Sequence, residues 1–336
     1  MNKITMQDVA VKAGVSKSTV SQYINNRYEY MAEATKIRIQ EAISELGYIP
    51  NFVAKSLKQK KSSTIGVIVA NILHTFSTEI IRAIEDVCET NHFHLFVCNS
   101  DENPEKERAY IDMLLAKQVD GLIIFPTKGN ALLYEQLKRS NFPIVFVDRK
   151  PVKPIYPTFL LDNVKAAEIA VEELLRHEQR KIGVVSMSTA QKVTPRLERI
   201  EGYRKKLKAN GITPNEEWII AAERHEIFDK LENLWLADEM PDCFFATNDL
   251  SLIELLKFLR KKKLRIPEDV SVVAIDDSDF LEIAATPITA IKQPTFEIGK
   301  DAAVELLRLI GEQEMAESYE VKRYAPLLVE RESIKS

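Results

Sequence analysis

From Thr64 onward, short apolar runs alternate with stretches of helical character, and few folds accommodate that alternation. The runs are Ile65-Gly66-Val67-Ile68-Val69, His94-Leu95-Phe96-Val97-Cys98, Gly121-Leu122-Ile123-Ile124-Phe125 and Ile144-Val145-Phe146-Val147. After a crossover near Leu160–Asn163 they resume with Lys181-Ile182-Gly183-Val184-Val185, Trp218-Ile219-Ile220, Cys243-Phe244-Phe245-Ala246 and Val270-Ser271-Val272-Val273-Ala274-Ile275. Strands that are apolar throughout, each followed by a helix, belong in parallel sheets covered on both faces. Two such blocks predict an α/β body of two doubly wound parallel-sheet subdomains. In open parallel sheets ligands sit beyond the carboxyl ends of the strands, so the polar residues just after each run are candidates for a binding site.

The preceding residues differ in kind. A chain of 336 residues exceeds one ordinary core and suggests about two or three folding units. Residues 1–61 hold ten Lys/Arg against five acids, a net of +5, whereas the remainder holds 36 against 45, a net of −9. A small basic head on a larger acidic body fits a polyanion-binding module joined to a sensing or enzymatic domain. Cys88, Cys98 and Cys243 are odd in number and lack CxxC spacing, which argues against a disulfide framework or a zinc site. No apolar signal core and no run of about 20 apolar residues is found, so the expected setting is the cytoplasm, with no membrane partner.

In the head, Thr5 precedes Met6-Gln7-Asp8-Val9-Ala10 as a capping hydroxyl with an acid at the third helical position. Gly14 breaks that helix, and Ser16, with Thr19 three residues on, caps the next. Ala10, Gly14 and Val20 fall at the spacings of a helix-turn-helix, where the helices touch at the alanine and the turn needs glycine. The second helix then turns Lys17, Ser18, Ser21 and Gln22 outward: hydroxyls, a cation, and an amide able to pair with adenine in the major groove. A third helix is predicted from about Ala32 to Leu46, with Ile37, Ala42, Ile43 and Leu46 on its core side.

The segments "ITMQDVAVKAGVSKSTVSQYIN" and "TKIRIQEAISELGYIPNFVAKSL" resemble the DNA-binding head of the LacI/GalR family of bacterial repressors, and with the later segments the likeness covers essentially the whole chain. The resemblance implies an all-α helix-turn-helix domain over 1–48, a hinge helix and linker over 49–62, and a periplasmic-binding-protein-like effector and dimerisation domain over 63–336. Its two subdomains would interleave, with crossings near 160–163, 290–294 and 320–325. The implied DNA-contacting set is Thr5, Ser16, Lys17, Ser18, Thr19, Ser21, Gln22, Asn25, Tyr48, Asn51, Ala54, Lys55 and Leu57, with Leu57 matching the family's minor-groove wedge. Two departures stand out. Gln22 replaces the family's usual arginine, which changes the expected base preference. Ala32 replaces a capping serine, a loss of roughly 0.5–2 kcal/mol that packing of Tyr28 or Tyr30 is expected to offset.

For the body, the carboxyl-end rule together with the resemblance gives Asn71, Phe76, Asp148, Arg149, Arg199, Asn248, Asp276 and Gln293 as effector-binding candidates, Arg199 standing three residues before Gly202 as the family's ligand-contacting arginine does. Carboxylates, amides and guanidinium groups meet adjacent hydroxyls, and an aromatic face meets the apolar side of a sugar ring. Arg224 and His225, if near the cleft, would tilt the effector towards a sugar acid, of the kind sensed by repressors of 2-keto-3-deoxygluconate and uronate catabolism. The expected partners are double-stranded operator DNA, a sugar or sugar-acid effector, and a second copy of the chain in a homodimer or larger assembly. A protein corepressor is the competing regulator. A sugar-processing enzyme is disfavoured because GxGxxG, GxxxxGK[ST], GxSxG and HExxH are all missing and no cofactor fingerprint is found. Asp276-Asp277 are adjacent at a strand end and point to opposite faces, so they make a poor acid/base pair. "HFH" at 92–94 lacks further placed metal ligands, and "RKKK" at 260–263 reads as a solvated helix end.

Overall fold

The computed structural model describes residues 4–49, 62–151, 154–312, 314 and 316–335, and the chain divides into two compact units, Met1–Ser62 and Ser63–Ser336. In the first, α1 (Met6–Ala13) opens with a capping box in which the Asp8 amide donates to the Thr5 hydroxyl and the Thr5 amide donates to the Asp8 carboxylate at 2.7 Å. Gly14 takes φ +63°, ψ +40°, a left-handed conformation that a side chain would strain. Ser16 accepts the Thr19 amide at 3.1 Å and starts α2 (Lys17–Ile24). Val9, Ala10, Ala13 and Val20 pack against Ile39 and Ala42 of α3 (Glu33–Leu46).

One expectation for the third helix needs correction. Ile37 is half exposed, and Ile39 is the fully buried isoleucine, because the helix meets α1 one turn-face away from the assumed stripe. Ala32 is the N-cap and makes no side-chain cap bond. The offsetting contact comes from Tyr28, whose ring lies edge-on to Tyr23 and beneath the ammonium of Lys36 in the first turn of α3. Tyr30 is fully exposed and contributes nothing to it.

The second unit holds two six-stranded sheets of matching order. In the first, β1 (Thr64–Val69), β2 (His94–Asn99), β3 (Gly121–Ile124), β4 (Ile144–Val147), β5 (Thr158–Leu161) and β11 (Val321–Tyr324) lie in the order β11-β5-β4-β3-β1-β2. In the second, β6 (Ile182–Met187), β7 (Ile219–Ala222), β8 (Cys243–Ala246), β9 (Ser271–Ile275), β10 (Thr289–Lys292) and β12 (Leu327–Val329) lie as β12-β10-β9-β8-β6-β7. All pairings are parallel except β10 with β12. Trp218 belongs to a single 3-10 turn before β7 rather than to the strand. β2 is an edge strand, so Phe96 and Val97 are about two-fifths exposed instead of covered on both faces.

The intervening helices are α4 (Thr75–Thr90), α5 (Pro104–Ala116), α6 (Ala131–Arg139), α7 (Asn163–Arg176), α8 (Thr194–Ala209), α9 (Arg224–Leu236), α10 (Asp249–Lys262), α11 (Asp279–Glu282) and α12 (Thr295–Gly311). The chain leaves the first lobe between β5 and α7, returns to it between β10 and α12, and leaves again between β11 and β12.

Within the second lobe, α7 and α8 pack at very close range. A Cβ on Gly202 would lie 2.4 Å from the Val164 carbonyl oxygen and 2.9 Å from the Ala167 Cβ. That approach also sets Arg199, one turn earlier on α8, against Asn163 at the start of α7. Gly202→Ala is expected to force the helices apart at a cost of about 1–3 kcal/mol, read as a lower urea midpoint with an unchanged slope. An unchanged midpoint would show that the pair has slack.

Candidate functional site

The order 2-1-3-4-5 within each sheet makes the gap between β1 and β3, and that between β6 and β8, a topological switch point where adjoining loops part. The residues just beyond those strands meet in one cleft: Ala70 and Asn71 after β1, Phe125 after β3, Met187 in β6, and Thr247 and Asn248 after β8. Counted out to its mouth, the cleft encloses about 540 Å³ of unfilled space. Asn71, Phe76, Asp148, Arg149, Arg199, Asn248, Asp276 and Gln293 all line it, so the structure brings together every effector candidate read from the sequence.

Each side chain is held by its own neighbours. Phe76, in the first turn of α4, is buried edge-on to Phe125 with centroids 6.2 Å apart. Asp148 and Asp276 follow β4 and β9 with φ of +69° and +81°, left-handed turns that Asp tolerates better than most residues. Arg199 is 5% exposed; its Nε donates to Asn163 Oδ1 at 2.9 Å and its Nη1 to the Thr247 carbonyl at 2.6 Å. Asn248 caps α10, its Oδ1 accepting the Ser251 amide at 3.0 Å, which leaves its amide nitrogen for another partner. Gln293 donates to Asp276 Oδ1, while its own carbonyl oxygen is buried with no partner among the described residues. Asp277 turns away to pair with Arg331 at 2.8 Å, so the two adjacent aspartates do not face one another.

Two polar bridges join the lobes across this cleft. Asp249, at the start of α10 in the second lobe, lies 2.6 Å from His74 Nδ1 and accepts the Thr75 amide at 3.0 Å, so it caps α4 of the first lobe. Glu102 accepts from Arg149 of its own lobe at 3.1 Å and from Arg196 of α8 in the other. Burial pushes both carboxyls up. For Glu102 the charges of Arg149 and Arg196 outweigh that penalty, and for Asp249 the His74 contact does so; both are held below the ordinary carboxylate range. Asp276 goes the other way: burial first, then the nearby Asp249, raise its pKa, and Arg199 and Gln293 only partly oppose them. Arg149 Nε is 3.5 Å from Asp148, too far for a hydrogen bond, and is otherwise unpartnered.

Sequence reasoning missed His74, Glu102 and Arg196, whereas Asp249, beside Asn248 just after β8, falls under the carboxyl-end rule. Arg196 was within reach, since it shares a helix face with Arg199 three residues on, just after Pro195 at the helix start. Phe125 obeys the same carboxyl-end rule but is not polar. Arg224 and His225 do not line the cleft: Arg224 pairs with Glu254 at 2.9 Å and His225 is exposed. Helix α9, which carries both, follows β7 at the edge of its sheet.

In the head, Lys17, Ser18 and Gln22 are exposed, and Thr19, Ser21 and Asn25 are partly so. Ser16 Oγ lies 2.6 Å from Ser18 Oγ and 2.8 Å from Thr19 Oγ1, and Asn25 donates to the Ser21 carbonyl at 2.7 Å. The exposed Thr5 is engaged with Asp8. Tyr48 is buried in the small core. Asn51, Ala54, Lys55 and Leu57 lie outside the described residues. Among the described residues no helix is long and apolar enough to cross a membrane.

Residues 5–51 match the family described as bacterial regulatory proteins, lacI family, and residues 171–334 match a periplasmic binding protein-like domain. The chain is 44% identical over 333 residues to the probable HTH-type transcriptional regulator EndR of Paenibacillus polymyxa, covering 98% of each protein. The fold is similar to that of the lac repressor dimer bound to operator and the anti-inducer ONPF, with a TM-score of 0.84, 25% identity and full coverage of both chains. It is also similar to the transcriptional regulator CelR in complex with cellobiose, with a TM-score of 0.69, 26% identity, and coverage of 98% of this chain and 99% of that one.

Asp276 carries a stability cost that a purely structural residue would not need. In Asp276→Asn the repulsion with Asp249 disappears, and the new amide can donate to the unpartnered Gln293 oxygen. The melting temperature is expected to hold or to rise, a gain on the order of 1 kcal/mol or roughly 2–4 °C. A clear fall in melting temperature would show that the charge stabilises the empty protein.

Proposed function

The chain belongs to the lacI family of bacterial regulatory proteins and is a DNA-binding transcriptional regulator, and from that premise we propose that its effector is a sugar whose ring, neutral at the inner end, lies in the cleft between the two lobes. The observation that carries this reading is the convergence of two carboxylates, Asp148 and Asp276, two amides, Asn248 and Gln293, and the ring of Phe76 on one cavity. Carboxylates accept paired hydroxyl protons, amides give and take, and the aromatic ring covers an apolar sugar face. Each cation there already serves a protein partner, although Arg149 Nε keeps no hydrogen bond of its own. Arg149 and Arg196 serve Glu102, and Arg199 serves Asn163 and Thr247 and faces Asp276. A sugar acid read through Arg224 and His225 loses its support with their placement. The structurally similar CelR was solved in complex with cellobiose, a neutral sugar, which supports this reading.

On this reading the chain acts in the cytoplasm as a dimeric repressor and carries out no reaction. The two bridges between the lobes, Glu102 to Arg196 and Asp249 to His74, border the effector cavity, so ligand binding and lobe closure compete for or share the same groups. Effector and operator then bind one protein with linked affinities, and each changes the other's by the same factor. Titrating operator in the presence and absence of a bound sugar, and sugar in the presence and absence of operator, tests this directly. A factor of one in both titrations, or no member of a neutral mono- and disaccharide panel raising the melting temperature, would sink the sugar reading.

The exposed amide of Gln22 is assigned to a base edge in the major groove. Selection from a random duplex pool should return a near-palindromic site, and Gln22→Arg should shift the preference at one symmetric position from adenine towards guanine by about 1–3 kcal/mol. An unchanged selected site would remove Gln22 from the reading face.

A further inference from the structure

In the head, α1 and α2 are joined by three residues, Gly14 to Ser16, whereas eight residues, Asn25 to Ala32, join α2 to α3. The longer connection is not slack. Asn26 takes φ +55° and its Oδ1 accepts the Tyr28 hydroxyl at 2.7 Å, while the Met31 amide donates to the Tyr28 carbonyl at 2.9 Å. The Tyr28 ring is pinned in turn by Tyr23 and by the Lys36 ammonium. This scaffold leaves Arg27 and Tyr30 on the outside. Arg27 is exposed and has no ion pair among the described residues, whereas Lys12 and Lys36 are paired with Glu45 and Glu33 at 2.6 and 2.9 Å. Tyr30 is fully exposed, and neither its hydroxyl nor its ring has a partner among the described residues.

The place of this loop follows from the length of the helix before it. Helix α2 has 8 residues and is therefore about 12 Å long. With its first residues on base edges, a helix of that length ends at the wall of a major groove about as wide, where the phosphates stand. The carboxyl end of a helix repels an anion, so ending one there needs compensation. Here the carbonyls of Ser21, Gln22 and Tyr23 accept the amides of Asn25, Arg27 and Asn26 at 3.2, 3.0 and 3.1 Å. The same bond that covers Gln22 holds Arg27 against the helix end, and its guanidinium supplies the positive charge.

We propose that this loop is a second DNA contact of the head, in which Arg27 pairs with a phosphate just beyond the base pairs read by α2 and the Tyr30 hydroxyl donates to a neighbouring one. The inference rests on DNA binding by the head and is independent of the sugar reading. Phosphate bonds position a protein and carry no base preference, so the loop adds affinity and fixes register while Gln22 selects sequence. Glu29, exposed between the two tyrosines, repels a phosphate and tempers the contact.

The test titrates the full chain with the duplex that wild type selects from a random pool, over a range of salt concentrations. Arg27→Gln is expected to weaken binding and to lower the slope of log affinity against log salt by about two, one phosphate for each half-site of the dimer. Tyr30→Phe, which removes only the hydroxyl, is expected to weaken binding about threefold or more, and Glu29→Gln to tighten it. All three variants should select the same sequence as wild type. A salt slope unchanged in Arg27→Gln, full affinity in Tyr30→Phe, weaker binding by Glu29→Gln, or an altered selected base overturns the proposal. Ethylation interference on wild-type protein keeps the test independent of how any variant folds: ethylating a phosphate just outside the base pairs read by α2 should block binding, and the absence of any such phosphate would refute the contact.

Discussion

In a parallel sheet every strand delivers its carboxyl end to the same edge, and the rest of this molecule's chemistry depends on that constraint. Two sheets of the same strand order place two switch points against one gap, so loops far apart in sequence must meet there. The backbone does the gathering, and the side chains need only be polar at the right step after each strand. Gly202 adds the complementary constraint from the helix side: by letting α8 lie against the α7 backbone, it presents Arg199 to Asn163 and Thr247 rather than to solvent.

The cleft's electrostatics follow from crowding. Four acids and four basic side chains, counting His74, gather around the cleft, mostly removed from water, and such charges persist only when paired. Glu102 and Asp249 are satisfied by partners from the opposite lobe. Asp276 is not satisfied to the same degree, being pushed towards its neutral form by burial and by Asp249. A group kept at such a cost is what a binding site requires and a scaffold avoids.

Much of this was legible in the chain itself. The carboxyl-end rule, with the family resemblance supplying Arg199 and a lobe crossing Gln293, nominated eight residues that do share one cavity, because the rule expresses geometry rather than propensity. The capped helices of the head and the turn at Gly14 were equally plain, since caps and left-handed glycines are local. What sequence could not deliver were pairings across distance: His74 with Asp249 is 175 residues apart and Glu102 with Arg196 is 94. Arg224 and His225 misled because an apolar run gives no sign of whether its strand is central or at the edge. Ile37 misled for a related reason: two isoleucines two residues apart lie on different helix faces, and only the packing against α1 decides between them.

The interlobe bridges have a further consequence for control. A ligand shifts a conformational equilibrium only by its difference in affinity for the two states. If the closed arrangement were held by a large apolar contact, a small sugar would have little left to decide. Buried ion pairs are different, because the desolvation they cost offsets much of the attraction they gain. On the proposed reading, bridges such as Glu102 with Arg196 and Asp249 with His74 add little net stability to one arrangement of the lobes, so the few hydrogen bonds of a small effector weigh in its balance.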